Sequence, residues 1–232
     1  MGVARALRLA ASHQSLRLTS SLPSSITTFT FSARMRWDTT TVTRRILEMG
    51  NAAWDDTLKF LCTADPWVIF RDEANTDAHL ASYDPAANTW HWIACRIDTG
   101  ATPTAKIWVA PDGGGVTSAT GSPTGIASAL VELHIVGETT GSQVDVSEVK
   151  MWLSALTDGE VLAERDYVVP QKAGVWAWYG MDSDTLATCL TDDSGNGHTL
   201  TAPTTPTVIA GAGTTWDAGA TGNPVPMGFV VE

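Results

Sequence analysis

The chain has 232 residues, 44% of them hydrophobic and 17% charged, enough to bury a full core without disulfide staples. Its 25 acidic residues outweigh 14 basic ones, and the formal net charge of −11 comes with no basic stripe beyond Arg44-Arg45, which argues against a nucleic-acid partner. No apolar run approaches the roughly 18 residues that a membrane span needs, so no membrane insertion is expected.

Taken in chain order, the predicted elements are strands. MGVARALRLAASHQ has arginines where the apolar core of an export leader would lie, and ALRLAAS alternates like a strand. The chain therefore reads as folded from its first residues. SLRLTSS follows, then FTFSARMRW, which puts Phe29, Phe31, Ala33, Met35 and Trp37 on one face and Thr30, Ser32, Arg34 and Arg36 on the other. Runs of the same period lie at KFLCTA, WVIFRDE, HLASYD, TWHWIACRID, AKIWVAP, ALVELHIVG, VDVSEVKMWL, VWAWYGMD and HTLTA. Turn-forming stretches separate them: LPSS, MGNAAWDD, YDPAAN, PDGGG and GSPTG. One stretch differs. LTDGEVLAER has Thr157 with Glu160 three residues on, a capping box that predicts a short helix ending before Pro170. So many short strands with such punctuation predict an all-β fold: a two-sheet antiparallel jelly-roll sandwich with one short helix. The domain spans 1–202, including C-terminal strands within 173–202. Residues 203–232, rich in Thr, Gly, Ala and Pro, are read as an irregular C-terminal arm.

Six blocks occur in order at plausible spacings: ARALRLAASHQSLRL before FTFSARMRW, then ILEMGN, then NTWHWIACRID before AKIWVAPDG, then VSEVKMWLSALTDGEV. Together they resemble the laminin-G-like, or concanavalin A-like, lectin-glucanase jelly-roll family, with its pentraxin-like members, as found in bacterial and phage surface proteins. The last block keeps that family's Glu148, Ala155, Leu156 and Glu160. It departs at Ser147, where the family has aspartate, and at Leu153, where it has asparagine. GVWAWYGMD and DDSGNGHTLT resemble elements that open the domain in many members and here come last. A sandwich with adjacent termini tolerates that order. The resemblance covers nearly the whole chain and implies the concanavalin A-like sandwich. It says less about function, because such folds host enzymes, lectins and structural modules.

Catalytic signatures are scarce. The jelly-roll glucanases carry a Glu-x-Asp-x-x-Glu strand that aims two acids at one face, and that full pattern occurs nowhere here. Asp145 and Glu148 are three apart, so a regular strand sends them to opposite faces, as an exposed and a structural acid. G-x-S-x-G and H-E-x-x-H are absent, and the five histidines lack ligand spacing. No catalytic residue is assigned. Cysteines 62, 95 and 189 make an odd count without CxxC spacing; Cys62 and Cys95, both on strand-like runs, are the one pair considered for a bridge.

The tryptophans say more. Trp90 and Trp92 oppose the inward Ile93, Cys95 and Ile97; Trp108 opposes Ile107 and Val109; Trp152 opposes Val149 and Met151. These four lie off the main core, as a partner- or sugar-binding aromatic face or as a face covered by loops or the arm. DDSGNG at 192–197 has the alternating oxygens of half a calcium loop. Position twelve from Asp192 is Pro203, so an EF-hand fails and a turn remains. No cofactor is required. The resemblance keeps calcium as an alternative, with Asp192, Asp193 and Asn196, joined by Asp182, as candidate ligands.

The expected function is a non-catalytic structural or adhesion module, displayed on a bacteriophage virion as a decoration, head or tail protein. It would bind further copies of itself or other virion or surface proteins, and glycans as a further partner. The expected location is a virion or extracellular surface. The alternative is a calcium-assisted carbohydrate-binding lectin domain of a bacterial surface protein. A glycoside hydrolase ranks last for want of paired acids.

Overall fold

Strict alternation leaves each strand one apolar face to bury, and two such sheets bury theirs against each other. A computed structural model describes residues 5–10, 14–38, 44–50, 57–62, 68–72, 78–80, 83, 85–122, 130–137 and 143–211. Its strands are β1 (Arg5–Leu9), β2 (Leu16–Leu18), β3 (Thr28–Trp37), β4 (Arg44–Gly50), β5 (Thr57–Cys62), β6 (Val68–Asp72) and β7 (Ala78–Leu80). They continue with β8 (Trp90–Asp98), β9 (Thr104–Pro111), β10 (Thr117–Gly121), β11 (Glu132–Gly137), β12 (Val144–Trp152), β13 (Ala177–Tyr179) and β14 (Thr207–Ala210). Helix α1 (Asp158–Ala163) runs into a 3-10 turn at Glu164–Asp166, and α2 (Leu186–Cys189) is a single turn.

The strands form two antiparallel sheets. An eight-stranded sheet runs β10-β9-β8-β3-β12-β1-β14, with β13 also on β12, and a six-stranded sheet runs β2-β11-β4-β5-β6-β7. Inward residues of β3 and β8, among them Phe29, Phe31, Ile93 and Ile97, meet Leu47, Met49, Phe60, Leu133 and Ile135 from the opposing sheet. Phe31 and Phe60 touch edge to face across this core, ring centroids 6.4 Å apart. The fold is the predicted two-sheet sandwich.

Three details depart from the sequence reading. The arm is not irregular from its start: β14 pairs antiparallel with β1, Ile209 opposite Ala6, and the remainder of the arm from 212 on lies outside the described residues. Cys95 is a free, buried thiol in the eight-stranded sheet, pushed up by burial, so it makes no bridge with Cys62 on β5 of the other sheet. Asp145 and Glu148 do not take opposite faces, because β12 bulges between Val146 and Val149. Asp145, 1% exposed, receives Arg8 at 2.8 Å and Arg36 at 2.6 Å, while Glu148, also 1% exposed, lies 3.5 Å from Lys150 on the same outer side. A bulge adds a residue to one strand and so reverses the side-chain parity beyond it.

That bulge marks a seam. On one edge of β12, β1 pairs with Val144–Val146 and β13 takes over at Val149–Met151, both antiparallel to it. Two segments from opposite ends of the chain therefore share one strand position in line. The unusual order of elements noted in the resemblance is accommodated there.

All nine residues of β12 are buried, because a second layer covers the outer face of its sheet. Trp92, Ala94, Trp108, Ala110 and Trp152 pack under Leu156 and Val161. The capping box forms as predicted: Glu160 N donates to Thr157 Oγ1 at 3.3 Å, and Thr157 N to Glu160 Oε2 at 2.8 Å. A helix this short is unstable alone. Burial of three indoles, on the order of 10 kcal/mol at roughly 25 cal/mol per Å², is what holds it in place.

The same layer buries charge. Lys150, with no exposed surface, donates to the Glu164 carboxylate at 3.1 Å, to Glu164 O at 3.0 Å and to Tyr167 O. Glu164 also accepts from Gln171 N at 2.9 Å and Lys172 N at 2.7 Å. Glu164→Ala should lower unfolding free energy by about 3–5 kcal/mol, since it removes the buried partner of Lys150 and orphans the N–H groups of Gln171 and Lys172. Urea denaturation measures this, and a Lys150→Met/Glu164→Leu double variant should recover only the part due to the Lys150 charge, because those N–H groups stay unpaired.

Glu148 gives a pH signature. Burial pushes its carboxyl up to about 7, against the pull of Lys150 and Arg34. The folded state thus holds this proton more tightly than the unfolded chain, whose ordinary value is 4.5; the resulting stability is full below 4.5 and lost as pH rises through 7. Relative to the wild type, Glu148→Gln should gain stability on the order of 2 kcal/mol between about pH 5 and pH 8. Denaturant melts at the two pH values read the difference directly.

Candidate functional site

The four tryptophans read from the sequence do face away from the sandwich core, but they form no open platform. Trp92, Trp108 and Trp152 are 1%, 2% and 0% exposed beneath the helical layer. Trp152 Nε1 donates to Lys172 O at 3.3 Å, and Arg96 and Lys106 lie over the Trp108 ring at 5.4 and 5.2 Å. Trp90, 8% exposed, packs with Ala6 and Ile209 under Arg36, 5.0 Å from its centroid. Alternation told which face each ring takes, and the second layer decided that the face is closed.

The DDSGNG stretch is a stitched turn. The carboxylate of Asp192, a residue 7% exposed, accepts four hydrogen bonds: Trp178 N at 3.0 Å and Ser194 N at 2.9 Å on Oδ1, Ser194 Oγ at 2.8 Å and His198 N at 3.0 Å on Oδ2. Burial opposes ionisation, but these donors outweigh it and hold the carboxyl below its ordinary value. Gly195 and Gly197, both at φ +82°, supply the left-handed backbone that the turn needs.

Calcium fits this arrangement poorly. Asp192 spends its lone pairs on the protein, and the Asn196 amide donates to Val175 O and Trp176 O at 3.0 Å. Asp193 accepts from Gly180 N at 2.9 Å, and its carboxyl is raised by burial and by the charges of Asp182 and Asp192. Among the described residues no group of three or more His, Cys, Asp or Glu is placed to hold a metal ion. The oxygens are arranged to receive N–H groups, where a cation would need them free.

What the turn builds is a shallow surface cleft of about 610 Å³, lined by Leu153, Ser154, Gly174, Val175, Trp176, Asn196 and His198. Leu153 and Ser154 continue β12, Gly174–Trp176 lead into β13, and Asn196 and His198 come from the turn. Trp176 N donates to Met151 O at 2.7 Å, which fixes that wall to the sheet. The half-buried Trp176 ring lies 4.3 Å from the His198 ring at a 45° tilt. Burial pulls His198 below its ordinary value against the nearby Asp192, so the imidazole is neutral at pH 7. Its backbone is held at both ends, by Asp192 on the N–H and by the Tyr179 hydroxyl on the carbonyl.

Of the candidate residues read from the sequence, only Asn196 lines this cleft, with Asp192 and Asp193 in the turn behind it. Trp176, His198, Ser154 and Leu153 read as ordinary strand or loop residues. The available signal was Trp176 itself, which sits at a strand end beside the glycine-rich turn. The outer face of the six-stranded sheet carries a second polar feature, with Arg17, His134, Glu48 and Lys59 in one cross-strand row. Its charges pair internally: Glu132 with Arg17 at 3.1 Å and His134 at 3.0 Å, Glu48 with Arg45 and, at 3.7 Å, with Lys59.

No family model matches the chain, and no curated protein matches it in sequence. Among solved structures it is similar to a putative carbohydrate binding protein from Bacteroides ovatus, with TM-score 0.52 and 14% identity over 90% of this chain and 60% of that one. The binding domain of Botulinum neurotoxin DC, in complex with SialylT, gives TM-score 0.50 and 10% identity over 68% of this chain and 40% of that one. A heptameric SAP-like pentraxin from Limulus polyphemus gives TM-score 0.48 and 12% identity over 66% of this chain and 78% of that one. At such identities the first two likenesses bear on fold alone, and the fold is the jelly-roll sandwich.

Asp192→Ala should cost about 3 kcal/mol or more, since it orphans the N–H groups of Trp178, Ser194 and His198. Urea denaturation monitored by tryptophan fluorescence measures that cost. Millimolar calcium should leave the melting temperature of the wild type unchanged.

Proposed function

We propose that the chain is a non-catalytic glycan-binding module whose ligand rests on Trp176. The observation that carries this reading is the Trp176–His198 ring pair in an open cleft, bordered by the Ser154 hydroxyl and the Asn196 amide. A pyranose has an apolar C–H face and a rim of hydroxyls. An indole meets the first, and short neutral donors and acceptors meet the second. Carbohydrate binding in the solved structures of similar fold agrees with the reading without carrying it.

Hydrolysis of a glycosidic bond needs two carboxyl groups roughly 5–10 Å apart about the scissile bond. Among the described residues, none that lines the cleft is Asp or Glu, and its shallow form suits holding a polymer more than enclosing a reacting bond. So small a contact gives weak monovalent affinity, and presentation in several copies would raise avidity. Display on a bacteriophage particle, the finer reading suggested by composition, would supply those copies.

A glycan array followed by calorimetry tests the proposal. Wild-type protein should show saturable binding to at least one oligosaccharide, and Trp176→Ala should weaken it roughly tenfold or more, about 1.4 kcal/mol. A folded Trp176→Ala variant that binds as tightly as wild type would reject the site, and a blank array would reject the function.

A further inference from the structure

We infer that the cleft selects uncharged pyranose glycans and rejects those carrying carboxylate or sulfate groups. The inference rests on the glycan-binding reading and adds the class of ligand to it.

The first ground is the lining. Leu153, Val175 and Trp176 offer apolar surface, and Ser154, Asn196 and His198 offer neutral hydrogen-bonding groups. Among the described residues, none that lines the cleft is a lysine or arginine, and burial holds the His198 imidazole below its ordinary value. Lys172, two residues before the Gly174 wall, is committed to Glu160. Recognition of a sugar carboxylate draws on a cationic fork or ammonium, and none of the lining residues is one.

The second ground is what stands behind the lining. The ionised Asp192 carboxylate accepts from the backbone N–H of His198 and from Ser194 Oγ, which itself lies 3.3 Å from Trp176 O, so a negative charge stands in the turn behind the residues that carry both rings. Asp193 and Asp182 follow, and burial first, with the charges of Asp182 and Asp192 after it, disfavours the charged form of Asp193. Arg5 answers Asp184 at the edge of this group, whereas among the described residues Asp192 is answered by N–H and O–H dipoles. The chain's net charge of −11 extends the same sign outward. An anionic glycan would approach a negative field and find no cation on arrival.

Asn196 supplies a matching detail. Both its amide hydrogens are spent on Val175 O and Trp176 O, so the side chain presents only its carbonyl oxygen, an acceptor. A sugar hydroxyl can donate to it; a carboxylate or sulfate cannot.

Matched pairs test the inference. Methyl-esterified oligogalacturonide against its free acid differs in charge on one backbone, and sialyllactose against lactose adds an acidic sugar to the same disaccharide. Together with a panel of neutral hexose and pentose oligosaccharides they are titrated into the full chain by calorimetry at low and high salt. Binding should be confined to uncharged members, roughly tenfold or more tighter than any charged counterpart, as expected for like charges brought together, and insensitive to salt. Ser154→Lys places a cation on the exposed lip and should narrow that gap. Equal or tighter binding of the acids, with affinity falling as salt rises, would overturn the inference and leave the glycan-binding reading standing. Binding to neither class would remove that reading and the inference with it.

Discussion

The Glu164 carboxylate is the staple on which the outer half of the molecule depends. It receives the buried ammonium of Lys150 from β12 and the backbone N–H groups of Gln171 and Lys172 from the chain beyond the 3-10 turn. One side chain therefore ties the covering layer to the sheet and sets the path by which the chain returns. That path delivers Gly174, Val175 and Trp176 to the edge of β12. Buried ion pairs gain little over apolar contacts of the same volume. The role of this one is positional, because three N–H-bearing groups from two separate segments converge on a single pair of oxygens.

Asp192 does the same for the opposite wall. Its donors come from Trp178 on β13, from Ser194 within the turn and from His198 beyond it. The cleft thus lies between two segments, each fixed by a saturated carboxylate. Saturation is also why Asp192 makes a poor metal ligand. A carboxylate that organises backbone and one that holds a cation need the same lone pairs.

Much of the scaffold was legible in the sequence, for a physical reason. Period-two alternation in β3, β8, β9 and β12 is a direct image of the sheet pleat, so inward residues such as Phe31, Cys95 and Val149 can be assigned from residue order alone. The Thr157–Glu160 capping box is local chemistry and was equally readable. The bulge at Ser147–Glu148 was not, because it answers to a handover between β1 and β13 that no local window contains. Coverage of Trp92, Trp108 and Trp152 depended on where a short helix would dock. Alternation gives the side of a sheet and is silent about what lies on top. The cleft escaped for the same reason: Trp176 and His198 are 22 positions apart in the chain and become neighbours only through the Asp192 turn.

The C-terminal end of β12 explains why a binding cleft can sit here without weakening the fold. Past Met151 the strand runs out into Leu153 and Ser154, and the chain that leads into β13 meets it there as a short stretch at the rim. That stretch, Gly174–Trp176, is still pinned by Trp176 N to Met151 O and by Asn196 to two of its carbonyls. Its aromatic ring is held by contact with His198 before any ligand arrives. Ordering costs are met in folding and not in association, which is the advantage of a preorganised site. Strands buried on both faces have no room for such a surface, and a free loop would have to be ordered each time a ligand bound. The rim beside β12 avoids both.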